Sequence, residues 1–216
     1  MIFDGYAVIP EYLSDTEVIW CPSWRQAGTI ARYDEEKGNS DGKVQPHEIS
    51  KEPFNYTGWV ILEDINILGP LHNGTGTDDT GRYAQGQFAQ TPWGELQARN
   101  IATNGAASDE DFKTSVHAGQ GFMPGGGDTL YRLRRGVERF LITDINNPGA
   151  SAQASSVIPV MWDHVSTFAK DFTHVPGGAN VLYMDGHVEF LRYPATRFPV
   201  TPESAKTFGR YNRGFK

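Results

Sequence analysis

The chain has 216 residues, 38% hydrophobic and 21% charged, which is enough apolar side chain for a domain with a real core and too balanced a composition for a disordered chain. Its formal net charge of −7, with no basic cluster in the body of the chain, argues against nucleic acid or an anionic membrane surface as a partner. The one cysteine, Cys21, excludes an intrachain disulfide, and its place in an apolar run before Pro22 suits a buried, inert thiol.

In chain order, Pro10 to Ser14 reads as a short helix, with proline in its first turn, and the chain then reads as a strand into Cys21. Residues 25–53 are polar and loop-like, with turn signals at Asp34 to Gly38 and Ser40 to Gly42. Residues 55–63 combine aromatic and β-branched types and predict a strand. Residues 72–92, rich in Gly, Thr, Asp and Gln, predict a long surface loop, followed by short helices over 93–100 and 109–117, the second capped by Ser108.

After a break at Gly125-Gly126-Gly127, the spacing of Leu130, Leu133, Val137, Phe140 and Leu141 predicts a helix capped by Asp128 or Thr129, with Gly136 in its middle. A turn at Asn146-Asn147-Pro148-Gly149 and a run of small residues lead to a strand over 157–162. A β-hairpin over 179–193 follows, and residues 194–216 read as a surface wrap or mobile tail. This order predicts an α+β fold in one domain over 1–216, with helices packed on one side of an antiparallel sheet.

The hairpin is the strongest local signal. Asp185-Gly186 separates two alternating apolar runs and suits a two-residue type I′ turn, whose central residues both need positive φ. That turn pairs Tyr183 with Val188 and Val181 with Phe190, and places Val181, Tyr183, Val188 and Phe190 on one core-facing surface.

His174, the segment Gly177-Gly178-Ala179-Asn180, a strand, Asp185-Gly186 and a second strand resemble the C-terminal signature of the prepilin-type H-X9-DG (DUF1559-like) proteins. Ten residues separate His174 from Asp185 here, with Val175-Pro176 read as the insertion. The resemblance extends to Ser156 through Asp163 and, upstream, to Tyr12-Leu13-Ser14-Asp15 and Val18 through Ser23, together about a third of the chain. It implies a pseudopilin-like head, a structural and non-enzymatic subunit of the cell envelope or extracellular space. Such a subunit acts by filament assembly or surface presentation, as in type II secretion and type IV pili, and its partners are other pilin-like subunits or further copies of itself. The family carries an N-terminal leader and a membrane helix. No run here approaches the ~18–20 apolar residues such a helix needs, so the chain as given reads as the globular part, without membrane contact.

Asp163, His164, His174, Asp185 and His187 are the groups around the hairpin that could hold a metal, with Asp163, His174 and Asp185 as candidate ligands. No cofactor is certain; the resemblance admits a structural Ca2+, although that ion takes oxygen ligands and histidine serves it poorly. The bland alternative makes Asp185 a turn residue and His174 a capping or packing group. Thr77 to Gly81 is a second acidic loop, without EF-hand spacing. The glycines before Asp128 lack the Gly-Lys-Ser/Thr of a phosphate loop, and no Gly-x-Ser-x-Gly elbow occurs. Asn55 and Asn73 match the glycosylation pattern, Asn73 being the better candidate because it falls on the predicted loop.

Two rival functions stay open at this point. Exposed rings among Trp20, Trp24, Trp59, Trp93 and Trp162 would suit an extracellular carbohydrate-binding module. An Asp/His cluster would suit a secreted metal-dependent hydrolase.

Overall fold

The computed structural model describes residues 5–24, 33–34, 39–45, 48–49, 53–70, 88–142 and 148–212. Asn73, the acidic loop at 77–81 and most of the predicted loop 72–92 lie outside them.

The fold is α+β. Four strands, β1 (Phe54–Tyr56), β4 (Pro159–Asp163), β5 (Gly178–Tyr183) and β6 (Val188–Arg192), form an antiparallel sheet in the order β1-β4-β5-β6, and β2 (Phe112–Lys113) and β3 (Thr129–Leu130) form a second, two-stranded one. The helices are α1 (Gly5–Val8), α2 (Ile65–Leu68), α3 (Pro92–Ala102), α4 (Pro148–Ser155) and α5 (Pro202–Asn212).

One face of the large sheet carries the main core. Trp162, Ala179, Val181, Tyr183 and Leu191 point to it, and there they meet Ile67 and Leu68 of α2, Trp93 and Leu96 of α3, and Ala205 and Phe208 of α5. Helix α3 forms where expected because its start is well specified. Thr91 Oγ1 accepts from Gly94 N–H at 3.0 Å, Pro92 occupies the first turn, and Glu95 adds an acidic group there.

The hairpin forms, but one residue out of the predicted register. Leu182 pairs with Val188, Val181 with Glu189 and Asn180 with Phe190. The loop has three residues: Gly186 donates to Tyr183 O at 2.9 Å, and Tyr183 donates to His187 O at 3.0 Å, with Gly186 at φ +92°. That is a type I turn closed by a glycine bulge, the other geometry Asp-Gly accommodates. A one-residue slip moves every side chain of a strand to the opposite face. Val181 and Tyr183 keep their buried places, whereas Val188 and Phe190 are 60% and 50% exposed, and Leu191 enters the core instead.

Four other stretches are corrected. Residues 128–141 are not a helix: they give β3, an isolated bridge between Arg132 and Trp59, and a 3-10 turn over Val137–Phe140. Gly136 interrupts them at φ +83°, and the apolar residues that imitate a helical face divide between two core clusters. Residues 109–117 give a 3-10 turn (Ala106–Asp109) and β2 rather than a helix. The tail is not a surface wrap: Phe198, Val200, Ala205 and Phe208 are buried, and α5 closes the core. At the start of the chain the predicted helix from Pro10 and the strand into Cys21 are replaced by α1 and a 3-10 turn over Thr16–Ile19.

Candidate functional site: a thiol, an imidazole and a carboxylate on the second sheet face

The opposite face of the sheet carries a row of two polar residues flanked by two phenylalanines. Phe54 pairs with Asp163 and Asn180 with Phe190, while the Asn180 N–H donates to Asp163 Oδ2 at 2.8 Å, so the four residues line up across β1, β4, β5 and β6. Asp163 is 3% exposed at the end of β4, one residue past the core-facing Trp162. Its burial follows from strand alternation: the apolar face goes to the helices, and the next residue faces whatever covers the other side.

Two segments provide that cover. One is the turn around Cys21 and Trp24, both buried and packed with Phe54. The other is the connection leading into β5, from which the His174 ring returns over Asn180, its edge set against Phe190 with centroids 6.3 Å apart. His174 Nε2 lies 3.1 Å from Asp163 Oδ2, 3.1 Å from Asn180 Nδ2 and 3.9 Å from Cys21 Sγ. Asn180 Nδ2 also donates to Asp163 Oδ2 at 2.9 Å. Burial pushes the Asp163 carboxyl above its ordinary value, and the Asn180 N–H and the charge on His174 oppose that only in part.

Of the three ligands expected from sequence, the structure brings Asp163 and His174 together and leaves Asp185 out. Asp185 sits on the hairpin turn, where its Oδ1 accepts from the His187 backbone N–H at 3.1 Å and lies 2.5 Å from His187 Nδ1. Those bonds, the His187 backbone N–H first, hold the Asp185 carboxyl below its usual range. The His187 ring in turn stacks on Tyr183 at 4.5 Å. His164 is buried against Trp24, ring centroids 5.0 Å apart, and is not among the donor groups that converge with Asp163 and His174. Cys21 takes the place expected for Asp185. It lies 153 residues before His174, so no local spacing could announce it, and only the fold makes them neighbours. Asn180 stands in the motif segment, but its contacts with Asp163 and His174 come only from the fold.

The cluster's geometry discriminates among chemistries. A relay from a nucleophilic thiol uses the two ring nitrogens separately, one toward sulfur and the other toward the orienting carboxylate. Here thiol, carboxylate and amide all approach the same nitrogen. The arrangement is convergent rather than relayed.

Elsewhere, a surface cavity of about 480 Å³ lies between α2 and the segment after β6, lined by Asp64, Val157, Tyr183, Arg197 and Thr201 among others. Four of the five tryptophans, Trp24, Trp59, Trp93 and Trp162, are buried at 5% exposure or less, so those indoles pack the interior instead of offering a stacking face. Asn55, the other glycosylation tripeptide, is buried in β1. Among the described residues no helix is long and apolar enough to cross a membrane. In comparisons with known proteins, no family model, curated protein or solved structure matches the chain.

Proposed function

We propose that this chain is a structural subunit resembling the globular head of a prepilin-type H-X9-DG pseudopilin, working by self-association or surface presentation in the cell envelope or outside the cell. One observation carries the reading. Strand β6 ends the sheet with no further strand beside it among the described residues, and its outward face shows Val188 and Phe190, 60% and 50% exposed. Val175, 58% exposed, directly follows the His174 that touches Phe190. Large apolar side chains exposed along an edge strand are the kind of surface an assembling subunit keeps for a partner.

The reading is tested by sedimentation of the chain over a concentration series, beside a Val188→Lys, Phe190→Glu double variant. Association in the parent, lost in the variant while both unfold at similar temperatures, supports it. A parent that stays monomeric at its highest soluble concentration, or a variant that associates equally well, overturns it.

A further inference from the structure

We infer that Cys21, Asp163 and His174 form a transition-metal site of the zinc class that fastens the Cys21 turn onto the sheet. One donor atom from each, the Cys21 sulfur, an Asp163 carboxylate oxygen and a His174 ring nitrogen, all lie within 4.8 Å of one another and come from three separate parts of the chain. Around tetrahedral zinc, bond lengths of about 2.3 Å to sulfur and about 2.0–2.2 Å to nitrogen and oxygen put sulfur and nitrogen about 3.6 Å apart, and nitrogen and oxygen about 3.4 Å apart. The corresponding separations here are 3.9 Å and 3.1 Å. The two separations from nitrogen need a few tenths of an ångström, and the sulfur–oxygen pair, within 4.8 Å against about 3.6 Å around zinc, closes by up to about 1 Å.

Hydrogen bonding alone leaves the cluster frustrated. His174 Nε2 faces a carboxylate oxygen at 3.1 Å and the donor nitrogen of Asn180 at 3.1 Å. With a proton on Nε2 the ring suits Asp163 and opposes the amide; without one it suits the amide and sets its lone pair against the carboxylate. A cation removes the opposition between Nε2 and the carboxylate, drawing on both lone pairs and on the sulfur. It also offsets the burial of a carboxylate that is 3% exposed. Asn180 is the outer support, its backbone N–H fixing the Oδ2 that would bind.

The donor set selects the metal. Thiolate and imidazole favour zinc or cobalt, and calcium, with its six to eight oxygens, has no match here. Binding deprotonates the Cys21 thiol and releases that proton to solvent. The three ligands are buried or partly buried and join distant segments, so an ion held by them ties those segments together, with water in the fourth tetrahedral position.

Co2+ and Zn2+ are the probes. Titrating the reduced full chain with Co2+ should produce the near-ultraviolet sulfur-to-cobalt charge-transfer band and the strong visible bands of tetrahedral coordination. Cys21→Ser should lose the charge-transfer band, and His174→Ala and Asp163→Asn should weaken Zn2+ binding at least about 10-fold in calorimetry. Zn2+ should raise the melting temperature by about 5 °C or more, reversibly with chelator, while Ca2+ should not. If Asp163→Asn fails to fold, Cys21→Ser, a near-isosteric change, still decides the question. Absence of the charge-transfer band in the parent chain, its persistence in Cys21→Ser, or unaltered affinity in His174→Ala overturns the assignment. These readouts do not involve β6, so they stand or fall separately from self-association.

Discussion

Glu95 of α3 and Ser115, two residues past β2, are tied by three hydrogen bonds that fasten the helix to the small sheet. The Ser115 N–H donates to both carboxylate oxygens at 2.9 Å, and the Ser115 hydroxyl donates to Oε1. Thr114 Oγ1 at 2.6 Å and Val116 N–H at 3.1 Å complete the grip on Oε2. Partial burial works to raise the Glu95 pKa, but the Ser115 and Thr114 hydroxyls and the two backbone N–H groups outweigh it, and the carboxyl is held below its ordinary value of 4.5.

That depression sets a pH dependence. A group whose pKa falls on folding contributes stability above its unfolded value and loses it as pH drops through the folded one. Urea midpoints measured from about pH 6 down to about pH 3 should therefore fall below pH 4.5 in the parent chain. Glu95→Gln, which accepts through one oxygen only, should cost about 1–3 kcal/mol at neutral pH and flatten that acid slope. An unchanged slope in the variant would assign the acid loss to other carboxylates.

Two glycines of the hairpin should respond very differently to alanine. Gly186 sits in the turn at φ +92°, where an added Cβ meets nothing within 4 Å, so Gly186→Ala should cost only the conformational strain of about 1–2 kcal/mol. Gly178 begins β5, and a Cβ there would lie 2.5 Å from Phe190 Cζ and 2.6 Å from Leu191 O. The ring can move and the carbonyl, held in the sheet, cannot, so Gly178→Ala should cost about 3 kcal/mol or more. Chemical denaturation of the two variants checks the order, and equal costs would contradict the hairpin geometry.

The pair also shows how far the sequence could be read. Asp185-Gly186 announced a hairpin correctly, yet the dipeptide serves both a two-residue turn and a three-residue turn with a bulge, and the two differ by one residue of register. Local preference could not choose. The choice was made by the core, which took Leu191 and left Phe190 outside. The stretch 128–141 misled for a related reason: residues three and four apart mimic a helical stripe, but Gly136 breaks the chain and Leu130 and Val137 belong to different clusters. Helix α3 was legible because its capping residues act locally. At the cluster, Asp163 and His174 were legible as chemically suited groups near one hairpin, whereas Cys21 depended on a contact that only tertiary structure creates.

Helix α5 should be indispensable to the core. The Phe208 ring meets Trp93, Trp162 and Phe198 edge-on at 5.9, 5.4 and 6.1 Å, and the side chain is 5% exposed. Phe208→Ala should destabilise by about 3–5 kcal/mol through lost burial and the cavity left behind, and Phe208→Leu by less. Thermal unfolding followed by tryptophan fluorescence reads both, and a near-neutral Phe208→Ala would place α5 outside the folded unit.

The same helix gives biosynthesis an order. Strand β1 waits for a partner, Asp163, that leaves the ribosome more than a hundred residues after Phe54, and the indoles of Trp93 and Trp162 stay uncovered until Phe208 has emerged as well. A nascent chain halted before residue 200 would therefore display its stickiest surface to the cell, and should be a ready client for holding chaperones until translation resumes.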